Sequence, residues 1–162
     1  MAGVCAALAA ARHGATVALI QNRPMLGGNA SSEIRMHICG ADHHNNVWRE
    51  TGIIEEIRLD TLVHNDNHNP SIHDLVLYDK VRRESNIRLF LNAHVDGCRV
   101  ERGRVISCTA HEISSDRRLS FEAGQFIDCT GDGALAYLAG AEYRHGREGR
   151  DEFGESLAPE KP

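Results

Sequence analysis

The chain begins with an apolar helical pattern that runs directly into an apolar strand pattern. Residues 1–13 are rich in Ala, Leu and Arg, which favour a helix, and Gly14 lies where a helix commonly ends in glycine. Residues 15–20 form a nearly continuous apolar run, which is typical of a strand buried on both faces of a parallel sheet. A helix that leads straight into such a strand is half of a βαβ unit. We therefore expect another strand to precede Met1.

A loop rich in breaking residues follows the first strand. Residues 22–32, NRPMLGGNASS, contain one proline and a pair of glycines. Residues 33–40 are predicted to form a short strand. A Gly-rich turn is therefore predicted between the first strand and the next regular elements.

Helical spacing of apolar residues predicts two further helices, separated by the polar segment HNDNHNP at residues 64–70. The first of them covers residues 50–63. The second begins at Ser71, with Asp74 in the position of a capping-box acid, and runs to about Glu84. Their buried faces are predicted to contain Ile53, Ile54, Ile57, Ile72, Leu75 and Val76.

From Ile87 onward the apolar period changes from helical to two, which is typical of strands. Gly103 is predicted to lie in a hairpin turn, and the strand after the hairpin completes a β-meander. A short helix over residues 132–139 follows, and from Glu142 the chain is charged and contains Gly and Pro. The predicted strands of this half cover residues 87–91, 95–100, 105–112, 118–122 and 126–129.

Composition excludes several classes of function. The 162 residues carry a net charge of −5 with a pI near 6.0, and aromatic residues make up 5%, which argues against a nucleic-acid partner. No apolar run approaches the length needed to cross a bilayer, so we expect no membrane partner. The five cysteines, none in a CxxC unit, indicate reduced thiols and a cytoplasmic location. They are Cys5, Cys39, Cys98, Cys108 and Cys129.

The start of the chain has features of a dinucleotide-binding unit. In the pattern G-x-G-x-x-G the last glycine lies at the helix start, and Gly3 occupies that place, although the first two glycines are absent. Gln21 lies where such units often place an acid that bonds a ribose hydroxyl. Because glutamine carries no charge there, flavin, NAD and NADP all remain open. The alternative is that Gly3 only begins an Ala-rich helix.

Three quoted segments together carry a family resemblance: AGVCAALAAARHGATVALIQ, RPMLGGNASSEIR and FIDCTGDGALAYLAGAE. In this order and spacing the chain resembles FAD-dependent oxidoreductases with a glutathione-reductase-type nucleotide-binding fold. It is most similar to the branch that includes the flavin subunit of heterodisulfide reductase. The resemblance implies FAD as cofactor and implies these cofactor-binding residues: Gly3, Gln21, Arg23, Gly27, Gly28, Ser31, Ser32, Thr130, Gly131 and Asp132.

The resemblance also implies an architecture. We expect an α/β fold: a Rossmann-like FAD-binding domain with a parallel sheet, a β-meander crossover and a helical insertion, with its first strand missing. Residues 1–34 would form a partial dinucleotide-binding unit and residues 35–85 the helical insertion on the substrate side. Residues 86–141 would return to the nucleotide-binding domain, and residues 142–162 would form a charged tail that leads to a missing C-terminal region.

The implied function is that of an oxidoreductase that transfers electrons between bound FAD and an organic substrate or electron carrier. Because the chain lacks the first strand, we expect it to be an N- and C-terminally incomplete fragment that binds FAD weakly or not at all by itself. A missing strand would leave apolar surface exposed, so self-association is also expected. The alternative is an inactive, truncated nucleotide-binding fragment without catalysis.

Ten histidines offer further candidate chemistry. His37 and His43 are candidates for proton transfer because imidazole titrates near neutral pH, although an ordinary solvated histidine explains each equally simply. His64 and His68, with nearby Asp66 and Asp74, leave a metal-dependent enzyme as a third reading. The surrounding asparagines favour a surface loop instead, so no metal ligands are assigned. The cysteines are too scattered to imply an iron–sulfur cluster.

Overall fold

The computed structural model describes residues 1–39 and 50–162, which contain five α-helices and five β-strands. None of the helices within these two ranges has both the length and the apolar composition that crossing a membrane requires. In chain order the elements are α1 (Ala2–Arg12), β1 (Val17–Ile20), α2 (Ile53–His64), α3 (Pro70–Arg83), β2 (Ile87–Phe90), β3 (Ala93–Glu101), β4 (Arg104–Glu112), β5 (Arg117–Glu122), α4 (Ala134–Leu138) and α5 (Arg150–Phe153).

A parallel pair of strands confirms the predicted α/β class. β1 pairs with β2 in parallel, from Val17 opposite Ile87 to Ile20 opposite Phe90. Helices α2 and α3 lie in the connection between them, as a parallel crossover requires. The expectation that β1 is buried on both faces is wrong, because Ala18 is exposed. Within the described residues this sheet has only two strands, so one edge of β1 has no strand beside it.

The predicted β-meander is confirmed as an antiparallel sheet in the order β3, β4, β5. Arg102 and Gly103 form the two-residue turn between β3 and β4, with φ of 51° and 75°. Positive φ at both turn residues is the backbone of a type I′ turn, whose twist matches that of the flanking strands. The meander joins the first sheet through the N–H of Ala93, which donates to the carbonyl of Gln21 at 2.9 Å.

The buried core is organised around one face of α1. Its buried residues recur at helical spacing, and Leu8 has no exposed surface at all. Most side chains of this helix are alanine, so neighbouring elements can approach its axis closely. The core cluster contains Val4, Ala7, Leu8, Ala11, Leu26, Ile57, Leu77, Val81 and Ile87.

A network of ion pairs joins α1, α2 and α3 beside this core. Arg12 donates to Glu56 at 2.7 and 2.8 Å and to Glu84 at 2.7 Å. Lys80, only 9% exposed, donates to Glu56 and Asp60 at 2.5 Å each. Burial opposes the charge on Lys80, but the two carboxylates outweigh burial and raise its pKa.

Two predicted strands are absent from the described residues. Residues 126–129 form no strand, and Ile127 is 68% exposed, because no described strand lies beside them to share a ladder of hydrogen bonds. Residues 33–39 also form no strand, since their backbone bonds are local: Met36 donates to the carbonyl of Asn29, and Arg35 adopts φ of 62°. Residue 40 lies outside the described residues.

Helix starts and faces differ from the prediction in four places. Helix α2 begins at Ile53, three residues later than predicted. Asn69, rather than Ser71, caps α3: its side chain accepts from the N–H of Ser71, and Pro70 takes the first helical position, where proline is favoured. Leu75 is 60% exposed instead of buried, because α3 turns Leu77 and Val81 inward. Helix α4 begins two residues later than predicted, after glycines with positive φ.

Replacing Leu8 by alanine tests the role of α1 in the core. We expect Leu8→Ala to lower the free energy of unfolding by about 2–5 kcal/mol, because it leaves a cavity at a fully buried position. Leu62→Ala, at a helical position that is 58% exposed, is the matched control and should change it by about 0.5 kcal/mol or less. Urea denaturation followed by circular dichroism measures both; equal losses would contradict the assignment.

The ion-pair network predicts a pH-dependent contribution to stability. Hydrogen bonds from Arg12 and then Lys80 lower the pKa of Glu56 from 4.5 to about 2. A lowered pKa in the folded state stabilises the protein above pH 4.5, and this stabilisation disappears as the pH falls toward 2. Glu56→Gln should therefore cost about 1 kcal/mol at neutral pH, a small value because solvent screens a carboxylate that is 39% exposed.

The difference between wild type and Glu56→Gln should shrink as the pH is lowered from about 4.5 to about 2, the window between the ordinary carboxyl pKa and the lowered one. Denaturant titrations across this range measure it. Glu122→Gln, at an exposed position on β5, is the control and should show no such trend. A constant difference at every pH would show that Glu56 acts through packing and not through its charge.

Candidate functional site

The first turn of α1 forms one side of the candidate site. The earliest intrahelical bond runs from the N–H of Cys5 to the carbonyl of Met1, so the amides of Ala2, Gly3 and Val4 point out of the helix end. The helix dipole adds partial positive charge there. A Cβ on Gly3 would lie 3.2 Å from the Cβ of Cys129 and 3.9 Å from Leu19. Glycine at this position therefore lets the helix start approach residues 126–129 closely.

The turn Leu26-Gly27-Gly28 lies directly beside this helix start. The amino group of Met1 donates to the carbonyl of Gly27 at 3.3 Å. Gly27 has φ of 108°, and a Cβ there would lie 3.0 Å from Leu77 and 3.3 Å from the nitrogen of Ser31. Gly28 also has positive φ, at 60°, but a Cβ there would meet nothing within 4 Å. Gly27 is thus required by packing, whereas Gly28 leaves open space above its backbone.

The two serines after this turn hold the loop in shape. Ser31 is fully buried, and its hydroxyl donates to the carbonyl of Gly28 at 2.7 Å and accepts from the N–H of Glu33 at 3.3 Å. The N–H of Ser32 donates to Asp74 on α3 at 3.0 Å. These bonds fix the loop against α3, and the hydroxyl of Ser31 is satisfied within the loop.

The turn Thr130-Gly131-Asp132-Gly133 is organised by the carboxylate of Asp128. This carboxylate accepts from the N–H of Thr130 at 2.9 Å, from its hydroxyl at 2.7 Å and from the N–H of Ala136 at 2.9 Å. Burial opposes ionisation of Asp128, but these hydrogen bonds outweigh burial and lower its pKa. Gly131 and Gly133 have φ of 93° and 70° with nothing near a Cβ. Asp132 is exposed.

The two polar residues after β1 make contacts within their own loop. The side-chain amide of Gln21 donates to the carbonyl of Met25 at 2.9 Å. Arg23 forms an ion pair with Glu33 at 2.7 Å. Both side chains therefore brace the loop that carries the Gly27-Gly28 turn.

Three motifs that are far apart in the sequence thus meet at one place. The start of α1 contacts the Gly27 turn through Met1, and Gly3 lies against Cys129 immediately before Thr130. Outward-pointing amides at a helix start and open glycine backbone beside it are what a dinucleotide pyrophosphate requires. The residues present therefore fit a dinucleotide cofactor.

The two histidine candidates belong to none of these three motifs. His37 is exposed, on the segment after Ser32, and His43 lies outside the described residues. His73 bonds Thr61 through its Nδ1 at 2.9 Å, and burial lowers its pKa. Across residues 1–39 and 50–162, no group of three or more His, Cys, Asp or Glu side chains could hold a metal ion.

Sequence reasoning missed the two carboxylates that shape the site. Asp128 precedes Thr130 by two residues, and Asp-x-Thr is a spacing that favours a side-chain-capped turn, so a signal was present. Asp74 was assigned to capping its own helix, whereas it binds the backbone of Ser32 across 42 residues of chain. No local sequence pattern predicts a contact between residues so far apart in the chain.

Two glycine substitutions separate backbone strain from packing at the Gly27 turn. Gly27→Ala should lower stability by about 1–2 kcal/mol for left-handed strain and by about 1–3 kcal/mol more for the clash with Leu77 and Ser31. Gly14→Ala, with φ of 89° and open space around it, should show the strain alone. Denaturant unfolding measures both, and equal losses would mean that the loop relaxes around the added methyl group.

Comparison with known protein families gives one match. Residues 1–161 match the model of a family described as FAD dependent oxidoreductase. No curated protein and no solved structure matched the chain. The match covers nearly the whole sequence, and the family implies FAD as the cofactor, in agreement with the geometry at the start of α1. The chain belongs to the FAD-dependent oxidoreductase family.

Proposed function

We propose that the start of α1, the Gly27-Gly28 turn and the Thr130–Gly133 turn bind FAD, and that the chain passes electrons between this flavin and an organic substrate or electron carrier. The observation that carries the proposal is the meeting of the three motifs. Met1 lies 3.3 Å from the carbonyl of Gly27, and Gly3 packs against the residue before Thr130. Family membership supplies the identity of the cofactor.

The pyrophosphate is the part of FAD that α1 would hold. The amides of Ala2, Gly3 and Val4 would donate to phosphate oxygens, and the positive end of the helix dipole would favour their negative charge. Gly3 allows Cys129 to lie against the helix, which brings the Thr130 turn to the same place. The open backbone at Gly131 leaves room for the cofactor beside it.

The adenosine side would lie at the end of β1. Gln21 uses its amide N–H group on the carbonyl of Met25, so its amide oxygen is the atom that would accept from a ribose hydroxyl. Arg23 is held by Glu33 and would line the same end of the site. An uncharged residue at position 21 gives a weaker hydrogen bond to the ribose than a carboxylate would.

The flavin, when bound, supplies the redox chemistry, and the protein contributes binding and orientation. Gly28 would face it, because its backbone is open and is held in position by the hydroxyl of Ser31. His37 is the candidate among the described residues for moving a proton. It follows Met36, whose N–H donates to the carbonyl of Asn29 at 2.8 Å and ties this segment to the glycine turn.

Binding of FAD to glycine variants tests the proposed site. Gly28→Ala adds a methyl group to open space beside the proposed cofactor, and we expect at least a tenfold loss of FAD affinity, about 1.4 kcal/mol. Gly103→Ala introduces the same kind of left-handed strain in the remote β3–β4 turn, with equally open surroundings, and should leave the affinity unchanged. Equilibrium dialysis measures both affinities.

The possible outcomes separate the proposed functions. Equal affinities for the two variants would reject Gly28 as part of the site. Wild-type chain that binds no FAD at any concentration would favour the alternative, a chain with the nucleotide-binding fold and no catalysis. FAD that binds and is reduced by an added electron donor would support the oxidoreductase.

A further inference from the structure

Strands β3 and β4 place two cysteines directly opposite each other. Cys98 on β3 and Cys108 on β4 are partners in the antiparallel register. Opposed residues on antiparallel strands direct their side chains to the same face, and their Cα atoms lie about 4.5–5.5 Å apart. Disulfides join Cα atoms about 4.4–6.8 Å apart. The register alone therefore meets the distance requirement for a disulfide.

Near this pair, the backbones of β3 and β4 lie close together, and β3 has irregularities that allow local adjustment. At the neighbouring pair, a Cβ on Gly97 would lie only 2.8 Å from the Oγ1 of Thr109, so the strands leave no room for a second side chain there. The register shifts on both sides of Cys98, between Val95 and Gly97 and between Arg99 and Val100. Such bulges interrupt the ladder and allow local adjustment, which sulfur–sulfur bonding would need.

We propose that Cys98 and Cys108 are a redox-active pair that forms a reversible disulfide by exchange with a small disulfide such as glutathione disulfide. Cys98 is half-buried on the outer strand of the meander, so a small disulfide can reach it. Cys108 is 3% exposed on the central strand. Phe121 of β5 lies opposite it and packs edge-on against Phe90, with ring centres 4.9 Å apart.

The exchange runs in two steps, and the difference in access sets their order. The Cys98 thiolate attacks one sulfur of glutathione disulfide, which forms a mixed disulfide and releases one glutathione thiolate. Cys108 gives its proton to water and attacks the Sγ of Cys98, and the second glutathione thiolate leaves. Two protein thiols are oxidised by two electrons, and one glutathione disulfide is reduced to two thiols.

The electrostatics of the pair agree with this order. Burial raises the pKa of the Cys108 thiol, and the negative charge of Cys98 raises it further. The two sulfurs are therefore close enough to interact, and ionisation of Cys98 disfavours ionisation of Cys108. A thiol of this kind resolves a mixed disulfide more slowly than it would if exposed.

Peptide mapping of the full chain tests the proposal directly. Arg99, Arg102 and Arg104 lie between the two cysteines, so trypsin places Cys98 and Cys108 on different peptides unless a disulfide joins them. After equilibration with excess glutathione disulfide and alkylation of the remaining thiols, we expect the linked peptide pair. Reduction with dithiothreitol should separate it.

Cysteine variants test the order of the two steps, and a second variant at position 108 controls for loss of folding. Cys108→Ser should stop at a glutathione adduct on Cys98, and Cys98→Ser should leave Cys108 reduced in the folded chain. Cys39→Ser, at an exposed position after the glycine turn, is the matched control and should still form the linked pair. If Cys108→Ser does not fold, Cys108→Ala replaces it, and the wild-type mapping needs no variant.

A stability measurement gives an independent readout. Closing the short loop between positions 98 and 108 should raise the ratio of folded to unfolded chain on the order of 100-fold in the oxidised form. Cys98→Ser should lose this response to glutathione disulfide, and Cys39→Ser should keep it. The proposal is overturned if both wild-type thiols remain free, if a glutathione adduct on Cys98 persists without linkage, or if either cysteine links elsewhere.

Discussion

Close packing of the alanine-rich helix α1 is the constraint on which the rest of the structure depends. The side chain of Leu8 is fully enclosed by residues from α2, α3 and β2, and this is possible because most of its neighbours on the helix are alanine. The start of the same helix meets Gly27 and Cys129. The core therefore positions the proposed cofactor site, since a helix that moved in the core would also withdraw its first-turn amides from the two glycine turns.

Periodicity predicted the regular elements well because their signals are local. The α1–β1 unit, the two helices that follow it and the β-meander with Gly103 in its turn all appear as expected. Gly27, Gly28 and Gly131 of the candidate site, which the family resemblance implied, all have positive φ, a conformation that favours glycine. These features need only neighbouring residues to specify them.

Features that need a distant partner were predicted poorly. Residues 126–129 have the composition of a buried strand, but a strand also needs a neighbour, and composition does not supply one. The buried face of α3 was wrongly predicted to include Leu75. One of its buried positions is occupied by Lys80, and lysine is usually exposed to solvent. Asp74 likewise looked like a helix cap until the fold placed it beside Ser32. In each case a tertiary contact outweighed the local preference.

Lys80 also bears on how this sequence can change over time. Exchange of Lys80 alone is unfavourable, since loss of the cation would remove its ion pairs with Glu56 and Asp60, and loss of both carboxylates would leave a charge that is only 9% exposed. Substitutions at positions 56, 60 and 80 should therefore arise together among related sequences. Covariation among these three positions would reflect the ion pairs of the fold, independent of any selection on the proposed cofactor site.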